Sequence, residues 1–400
     1  MAAMYFRPYT GSKMLAQLHV DDPLLRPIAA KVLAGETLSA EDGLALYQTR
    51  DIHAVGRLAN FVRNSLHGDQ TFYNRNRHIN YTNVCALSCK FCSFYRKRGE
   101  EGAYEMSVEQ VVAAAQKAAE TGATEVHIVG GLHPWLKFDY YLEMLSGIRR
   151  QCPRLHIKAF TAIEIIHFSR ISRKNIRETL TALREAGLGS LPGGGAEIFD
   201  DRVHDEVFKG KVRADSWFEV HRTAHDLGIP SNATMLYGHV ETPAERVKHL
   251  IKLRELQAES VSRPARFNCV IPLSFIPEGS ELGRLPGPTG LADLRTLAIA
   301  RLLVNNIPHI KAFWIMQGVG LSQLALNYGC DDLDGTVVWY DITKREGERN
   351  RATHQELGVR EIRRVIRQAR RVPVERDTLY QPVRRDAEDR VVGREVAVVS

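Results

Sequence analysis

From residue 77 to residue 342 the chain alternates short β-branched runs with amphipathic helical stretches, seven or eight times over. The runs are "RHINYTNV" (77–84), "TEVHIVGG" (124–131), "LHIKAFTA" (155–162), a strand just before "LPGGGAEIF", "IPSNATMLYG" (229–238), "RFNCVIPLSF" (266–275), "HIKAFWIM" (309–316) and "GTVVWYDI" (335–342). Between them the helices announce their own ends. Ser107 caps a helix and Gln110 completes its capping box, with Gly122 as the stop; Thr242 caps another whose first position is Pro243. Strands alternating with helices imply parallel pairing through right-handed crossovers. This many units predicts an α/β chain closed into a (β/α)8 TIM-type barrel over residues 71–345, with an open doubly wound sheet as the alternative. Residues 1–70 read as a helical N-terminal extension, and 346–400 as a C-terminal helix and basic tail.

In this architecture the chemistry lies on loops at the C-terminal ends of the strands. The first such loop holds "NVCALSCKFCSFYR", with Cys85, Cys89 and Cys92 inside eight positions. Sulfurs this close in sequence do not make an ordinary disulfide framework. A structural zinc site takes four protein ligands, and no fourth cysteine or histidine stands nearby in sequence. Fe–S clusters are held by thiolates, and three thiolates on a four-iron cluster leave one iron open to a ligand. Cys152, Cys269 and Cys330 stand alone and read as reduced thiols packed as small apolar groups.

Composition narrows the alternatives. The formal charge of +7 comes largely from "REIRRVIRQARRVPVERD", whose arginines fit one solvated helix face. Without a recognisable module or interleaved aromatics, that charge does not predict nucleic-acid binding. No stretch approaches the ~20 apolar residues of a membrane span, and the first residues lack a signal-peptide core. A cytoplasmic protein is expected.

"CALSCKFC" resembles the CxxxCxΦC signature of the radical S-adenosylmethionine (SAM) superfamily, with Phe91 as the aromatic before the last cysteine. The resemblance implies a 4Fe-4S cluster on Cys85, Cys89 and Cys92, with SAM on the open iron. It further implies that one electron from the cluster cleaves SAM to methionine and a 5′-deoxyadenosyl radical. "VGGLHP" resembles the superfamily's Gly-Gly-Glu stretch, implying contact with SAM through the backbone of Gly130 and Gly131, or through His133, which stands near the usual acid. A plain βα turn is the other reading. Glu164 lies where related enzymes place a polar residue on the SAM ribose, or is a helix-entry carboxylate. In "LPGGGAEIF", Gly193, Gly194 and Gly195 predict a close approach of backbone to ligand, and Glu197 a hydrogen-bonding partner for SAM or substrate. The pattern is not GxGxxG, so the dinucleotide fingerprint is absent. His239 and Glu241 in "MLYGHVET" are the candidate catalytic pair, with a structural role for the histidine as the competing reading.

Further stretches, among them "SLPGGGAEIFDDRVHDEVFKGK", "NIPHIKAFWIM" and "DDLDGTVV", are similar to the group containing aminodeoxyfutalosine synthase, the cyclic dehypoxanthine futalosine cyclase and the FO synthase subunits. The similarity runs from about residue 20 to 380. Within the group, "MLYGHVET" and "VPVERDTLY" look most like the aminodeoxyfutalosine synthases of menaquinone biosynthesis, whereas "SFIPEGSEL" and "IMQGVGLSQ" depart from the expected pattern. The resemblance implies addition of the adenosyl radical to 3-[(1-carboxyvinyl)oxy]benzoate, giving 6-amino-6-deoxyfutalosine, methionine and bicarbonate or CO2. It also implies an electron donor of the reductase, flavodoxin or ferredoxin type. Two substrate carboxylates need donors, and Arg266, His239 and Asn268 are the candidates. Two other readings stay open: a sibling cyclase acting by hydrogen abstraction, and a zinc-binding regulatory or RNA-binding protein.

Overall fold

The computed structural model describes residues 18, 20–195, 197–208, 212–337 and 356–394. Three helices open the described chain, α1 (Arg26–Ala34), α2 (Ala40–Gln48) and α3 (Ile52–His67). Ser39 and Asp42 form the capping box that starts α2, and the Asp51 carboxylate accepts the Ala54 N–H at the start of α3. The described part of the segment before residue 68 holds these three helices, residues 1–17 lie outside the described ones, and a strand follows at once. Here β1 (Gln70–Asn74) occupies "QTFYN", which sequence analysis had left unassigned.

The alternating core comprises β2 (Asn76–Ile79), α4 (Val108–Glu120), β3 (Glu125–Ile128), α5 (Phe138–Gln151), β4 (His156–Ala159), α6 (Ala162–Ser172) and α7 (Ile176–Ala186). After the glycine loop come α8 (Asp201–Val207), α9 (Ala214–Asp226), β5 (Ser231–Tyr237), α10 (Pro243–Glu259), β6 (Phe267–Ser274) and α11 (Gly290–Leu303). It ends with β7 (His309–Ile310), α12 (Trp314–Gln317), α13 (Val319–Ala325) and β8 (Asp332–Gly335). The capping box at Ser107 and the cap at Thr242 form as the sequence predicts, and Glu245 turns the latter into a capping box as well.

All the core pairings are parallel. β2, β3 and β4 lie side by side, and so do β5, β6 and β7. Single bridges join the two groups through Lys158 to Ser190 and Leu191 to Ser231, and a further bridge from Lys311 to Asp332 carries β7 to β8. β8 pairs with β1. Thr336 then accepts the Asn76 N–H and donates to the Asn76 carbonyl, so the far end of the run returns to β2. This is an α/β fold of the TIM type. The fourth strand is reduced to those bridges at Ser190 and Leu191. "HIKAFWIM" is a strand for two residues only before Trp314 starts a helix, and β8 sits earlier than "GTVVWYDI", whose residues 338–342 lie outside the described ones.

The register matters for the site. His78 pairs with His127, and His127 with Lys158, which makes one row across three strands. On β5 the alternate residues Asn232, Thr234 and Leu236 face one cavity, as do Ile271 and Leu273 of β6 and Phe275 just beyond it.

The basic tail departs from expectation. α14 (Val359–Gln368) keeps exposed arginines such as Arg364, but β9 (Val372–Glu375) adds a parallel strand to β1, and β10 (Val383–Arg385) pairs antiparallel with β11 (Val391–Arg394). Arg376 is 1% exposed, bonds the Asp332 carboxylate at 2.5 Å and lies over the Tyr380 ring. Arg385 pairs with Glu375. These arginines are internal struts rather than a solvated stripe. Arg376→Met leaves the Asp332 charge buried with its main partner gone, a loss of about 3–5 kcal/mol. Urea unfolding of that variant is expected to show it.

Candidate functional site

The cysteine loop is held in place by its own main chain and by Lys97. Cys85 N–H donates to the Arg96 carbonyl, Cys92 N–H to the Cys89 carbonyl and Lys90 N–H to Val207 at the end of α8. The Lys97 ammonium gathers the carbonyls of Cys85 (3.0 Å), Ala86 (3.3 Å) and Leu87 (2.9 Å). Phe91 sets its ring edge to face with Phe208, 5.1 Å between centroids. Cys85, Cys89 and Cys92 then line a single cavity with Leu132, Gly130, Thr161 and Glu197.

Two observations fit a thiolate-held cluster there. Leu132 N–H donates to the Cys85 sulfur at 3.3 Å, the kind of contact that tunes cluster thiolates. At Gly131 an added Cβ would stand 2.3 Å from the Val84 carbonyl and 3.1 Å from the Cys85 Cβ, so the backbone of this turn is laid against the cysteine loop. Among the described residues, the candidate ligand atoms grouped within 4.8 Å of one another are those of His67, His309 and Asp331, at the opposite ends of the strands.

The cysteine cavity opens into a larger one of about 210 Å³ through the shared lining of Phe91, Cys92, Thr161, Gly195 and Glu197. Its walls are apolar, with Leu236, Ile271, Leu273, Phe313 and Met316. Its floor is polar, with His78, His127, Lys158, Lys311 and Asp334. An apolar chamber with few convergent polar groups is the usual form of a small-molecule site.

The glycines and acids named from sequence divide between the two purposes. Gly130 lines the cysteine cavity, and its missing Cβ also admits the Tyr81 ring. Gly193, at φ +88°, passes so close to β5 that a Cβ would meet the Asn232 carbonyl oxygen at 2.1 Å. Gly194 lines the large cavity; Gly195 and Glu197 line both. Glu197 also sits at φ +47°, and its carbonyl accepts the Leu236 N–H.

Other named residues turn away. His133 is 3% exposed; its Nδ1 accepts the N–H groups of Trp135 and Leu136, and its Nε2 meets Glu105 at 2.7 Å. It builds the turn and is not part of either cavity lining. Glu164 takes the helix-entry role: its carboxylate accepts the Thr161 N–H and hydroxyl, the Tyr81 hydroxyl and the Gly130 N–H. His239 and Glu241 pair with each other at 3.1 Å, with no exposed side-chain surface. Glu241 accepts the N–H groups of Gly238 and His239 and an ion pair from Arg246. They brace the end of β5 instead of facing the cavity, and burial holds the His239 imidazole below its usual range. Arg266 is exposed ahead of β6 and Asn268 is its second residue, so both stand at the end opposite the cysteines.

Burial pushes the Glu164 carboxyl up to about 7, against four hydrogen bonds that favour the anion. A folded value raised above the unfolded one near 4.5 contributes stability that is complete below pH ~4.5 and is lost as pH rises through about 7, roughly 3 kcal/mol in all. Comparison with Glu164→Gln by denaturant unfolding at pH 5 and pH 8 is expected to show wild type losing that advantage.

The floor was missed from sequence. Its signal is a lysine in the middle of each of two apolar runs, "HIKAF" at 156–160 and again at 309–313. Lysines are rarely buried unless paired. Both are buried here, on Glu125 and on Asp334.

Comparison with known proteins bears on the cluster directly. The family description "Radical SAM superfamily" matches residues 79–253, and "CofH/MqnC C-terminal region" matches 265–389. The chain is 47% identical to the aminodeoxyfutalosine synthase of Thermus thermophilus, over 91% of this chain and 97% of that one. The chain belongs to the radical SAM superfamily. As a radical SAM enzyme it uses a 4Fe-4S cluster and SAM. That sets aside the zinc-binding or RNA-binding reading. It is also 43% identical to the aminodeoxyfutalosine synthase of Streptomyces coelicolor, over 91% of this chain and 95% of that one. A 5-amino-6-(D-ribitylamino)uracil–L-tyrosine 4-hydroxyphenyl transferase of Methanopyrus kandleri is 37% identical, over 92% and 98%. The solved methylornithine synthase shares the fold of this radical SAM enzyme at a TM-score of 0.66 and 20% identity, covering 86% of this chain and 97% of that one. No helix among the described residues is long and apolar enough to cross a membrane.

Proposed function

We propose that this radical SAM enzyme joins the 5′-deoxyadenosyl group of SAM to 3-[(1-carboxyvinyl)oxy]benzoate. The products are 6-amino-6-deoxyfutalosine, methionine and bicarbonate or CO2, in menaquinone biosynthesis. The observation that carries the reading is the 47% identity with an aminodeoxyfutalosine synthase along nearly the whole of both chains. The cluster, held by Cys85, Cys89 and Cys92, supplies when bound the electron that divides SAM. Gly130, Gly195 and Glu197 line the niche beside those cysteines and are the proposed SAM contacts. The apolar walls exclude water and fix the olefin next to that niche, so proximity selects the acceptor carbon. An electron donor of the flavodoxin or ferredoxin type, or a reductase, and a cytoplasmic site of action belong to the same proposal.

A second reading, a sibling enzyme acting by hydrogen abstraction, is favoured by the match to the CofH/MqnC C-terminal region and by the tyrosine-transferase relatives. Anaerobic reconstitution with dithionite, SAM and the enolpyruvyl benzoate, followed by mass analysis, tests between them. The expected result is methionine together with an adenosylated product. Release of 5′-deoxyadenosine without an adduct would overturn the first reading in favour of the second.

A further inference from the structure

The two copies of "HIKAF" place Lys158 in β4 and Lys311 just beyond β7, on different sides of the same cavity. Each ammonium is all but removed from solvent, 4% and 3% exposed. An ammonium has three donors and its burial is costly unless they are used. Lys158 bonds Glu125, and Lys311 bonds Asp334 Oδ1 at 2.5 Å; these pairs hold the two side chains, and both lysines line the chamber. Glu125 stands behind Lys158 and takes a second hydrogen bond from Thr378, so the floor presents two ammonium groups and a single carboxylate. The cavity's other acids, Glu197 and Glu278, follow strand ends at the mouth.

Asp334 is itself unusual. It is 2% exposed and left-handed at φ +64°, a conformation that strains a non-glycine residue and clusters at ligand sites. Its Oδ2 is buried with no hydrogen-bond partner. A buried carboxylate oxygen without a donor asks for a hydrogen-bond donor beside it, the part that a water bridging to a bound anion fills. The two ammonium groups also sense each other across the floor: Lys311 is among the charges that hold the Lys158 value down. A shared anion between them relieves that repulsion.

We infer that Lys158 and Lys311 form a carboxylate-binding floor that takes the ring carboxylate of an aromatic acid substrate. The aromatic ring then lies between Leu273 and Phe313, and the vinyl ether points up to the cysteine niche. The inference rests on the proposed function for the identity of the substrate, and names the residues that select it.

The test uses anaerobically reconstituted enzyme with SAM and no reductant, titrated calorimetrically with two inert probes, 3-(carboxymethoxy)benzoate and phenoxyacetate, which lacks the ring carboxylate. Wild type is expected to bind the dicarboxylate about tenfold or more tightly than phenoxyacetate, the scale of one charge-assisted hydrogen bond. The charge-balanced double variants Lys311→Met with Asp334→Asn, and Lys158→Met with Glu125→Gln, remove a donor without stranding its partner. In each the preference is expected to fall below about threefold while SAM affinity is kept, which also reports folding. Wild type without a preference, or variants that bind SAM and retain the preference, would overturn the floor. Lysine-dependent preference in an enzyme that makes no adenosylated product leaves the floor standing and removes the reaction. An adenosylated product with preference unchanged in the variants removes the floor alone.

Discussion

Cys89→Ala is expected to yield a folded, colourless protein with little iron and with product formation down by about 10³-fold or more. The loop around Cys89 is fixed by its main chain: the Cys89 carbonyl accepts from Cys92, the next residue's N–H reaches Val207, and Lys97 holds three carbonyls upstream. None of these contacts uses the Cys89 side chain, so the melting temperature stays near that of wild type. On the proposed reading, what is lost is one of the three thiolates that hold the cluster. Removing a partner one shell further out from a metal costs about 10–100-fold, and removing a ligand itself costs more. Cys152→Ala is the matched control. That thiol is buried between α5 and β4, away from both cavities, and its loss is expected to leave iron content and turnover near wild type. Wild-type turnover in Cys89→Ala would take the cluster out of the mechanism.

The parts of this enzyme that were legible in its sequence are those where local chemistry and global fold agree. The Ser107 capping box, the Thr242 cap, the strand–helix alternation and the spacing of Cys85, Cys89 and Cys92 are all written in contiguous residues. What stayed hidden depends on partners distant in the chain. β1 was missed because "QTFYN" has strand chemistry but gains its pairing from β8 and β9, far along the sequence. The tail arginines read as solvated because their acceptors, Asp332 and Glu375, are not near them on a helix face. His239 and Glu241 occupy the expected strand end, yet which way a side chain points there is decided by Arg246 on the following helix. Arg266 and Asn268 were given to the wrong end of β6, since a strand of known sequence has no direction to the site until its neighbours set the register. The lysine floor was hidden for the same reason: each lysine is explained by a carboxylate on another strand or at its end, Glu125 in β3 and Asp334 in β8.

Gly193→Ala is expected to cost roughly 2–5 kcal/mol and to disable SAM binding with it. The residue sits at φ +88°, where an L side chain pays about 1–2 kcal/mol. Its new Cβ would also fall 2.1 Å from the Asn232 carbonyl oxygen, 2.3 Å from the carbonyl carbon and 2.7 Å from the Ala233 nitrogen. These are backbone atoms of a fully buried strand, so they cannot rotate aside, and overpacking of a core of this kind costs about 1–3 kcal/mol. Either β5 moves or the loop lifts from it. If the loop lifts, the bond from Thr234 to the Gly193 carbonyl breaks, and Gly195 and Glu197 leave the wall they share with the cysteine niche. Gly320→Ala separates this from any general effect of adding a methyl group. Gly320 is an exposed helical position in α13 with nothing within 4 Å of the added carbon, and alanine there is expected to stabilise by about 0.5–1 kcal/mol. Thermal unfolding of both variants and equilibrium SAM binding measure the contrast. A Gly193→Ala protein that melts and binds SAM as wild type does would show that the glycine loop is not seated on β5.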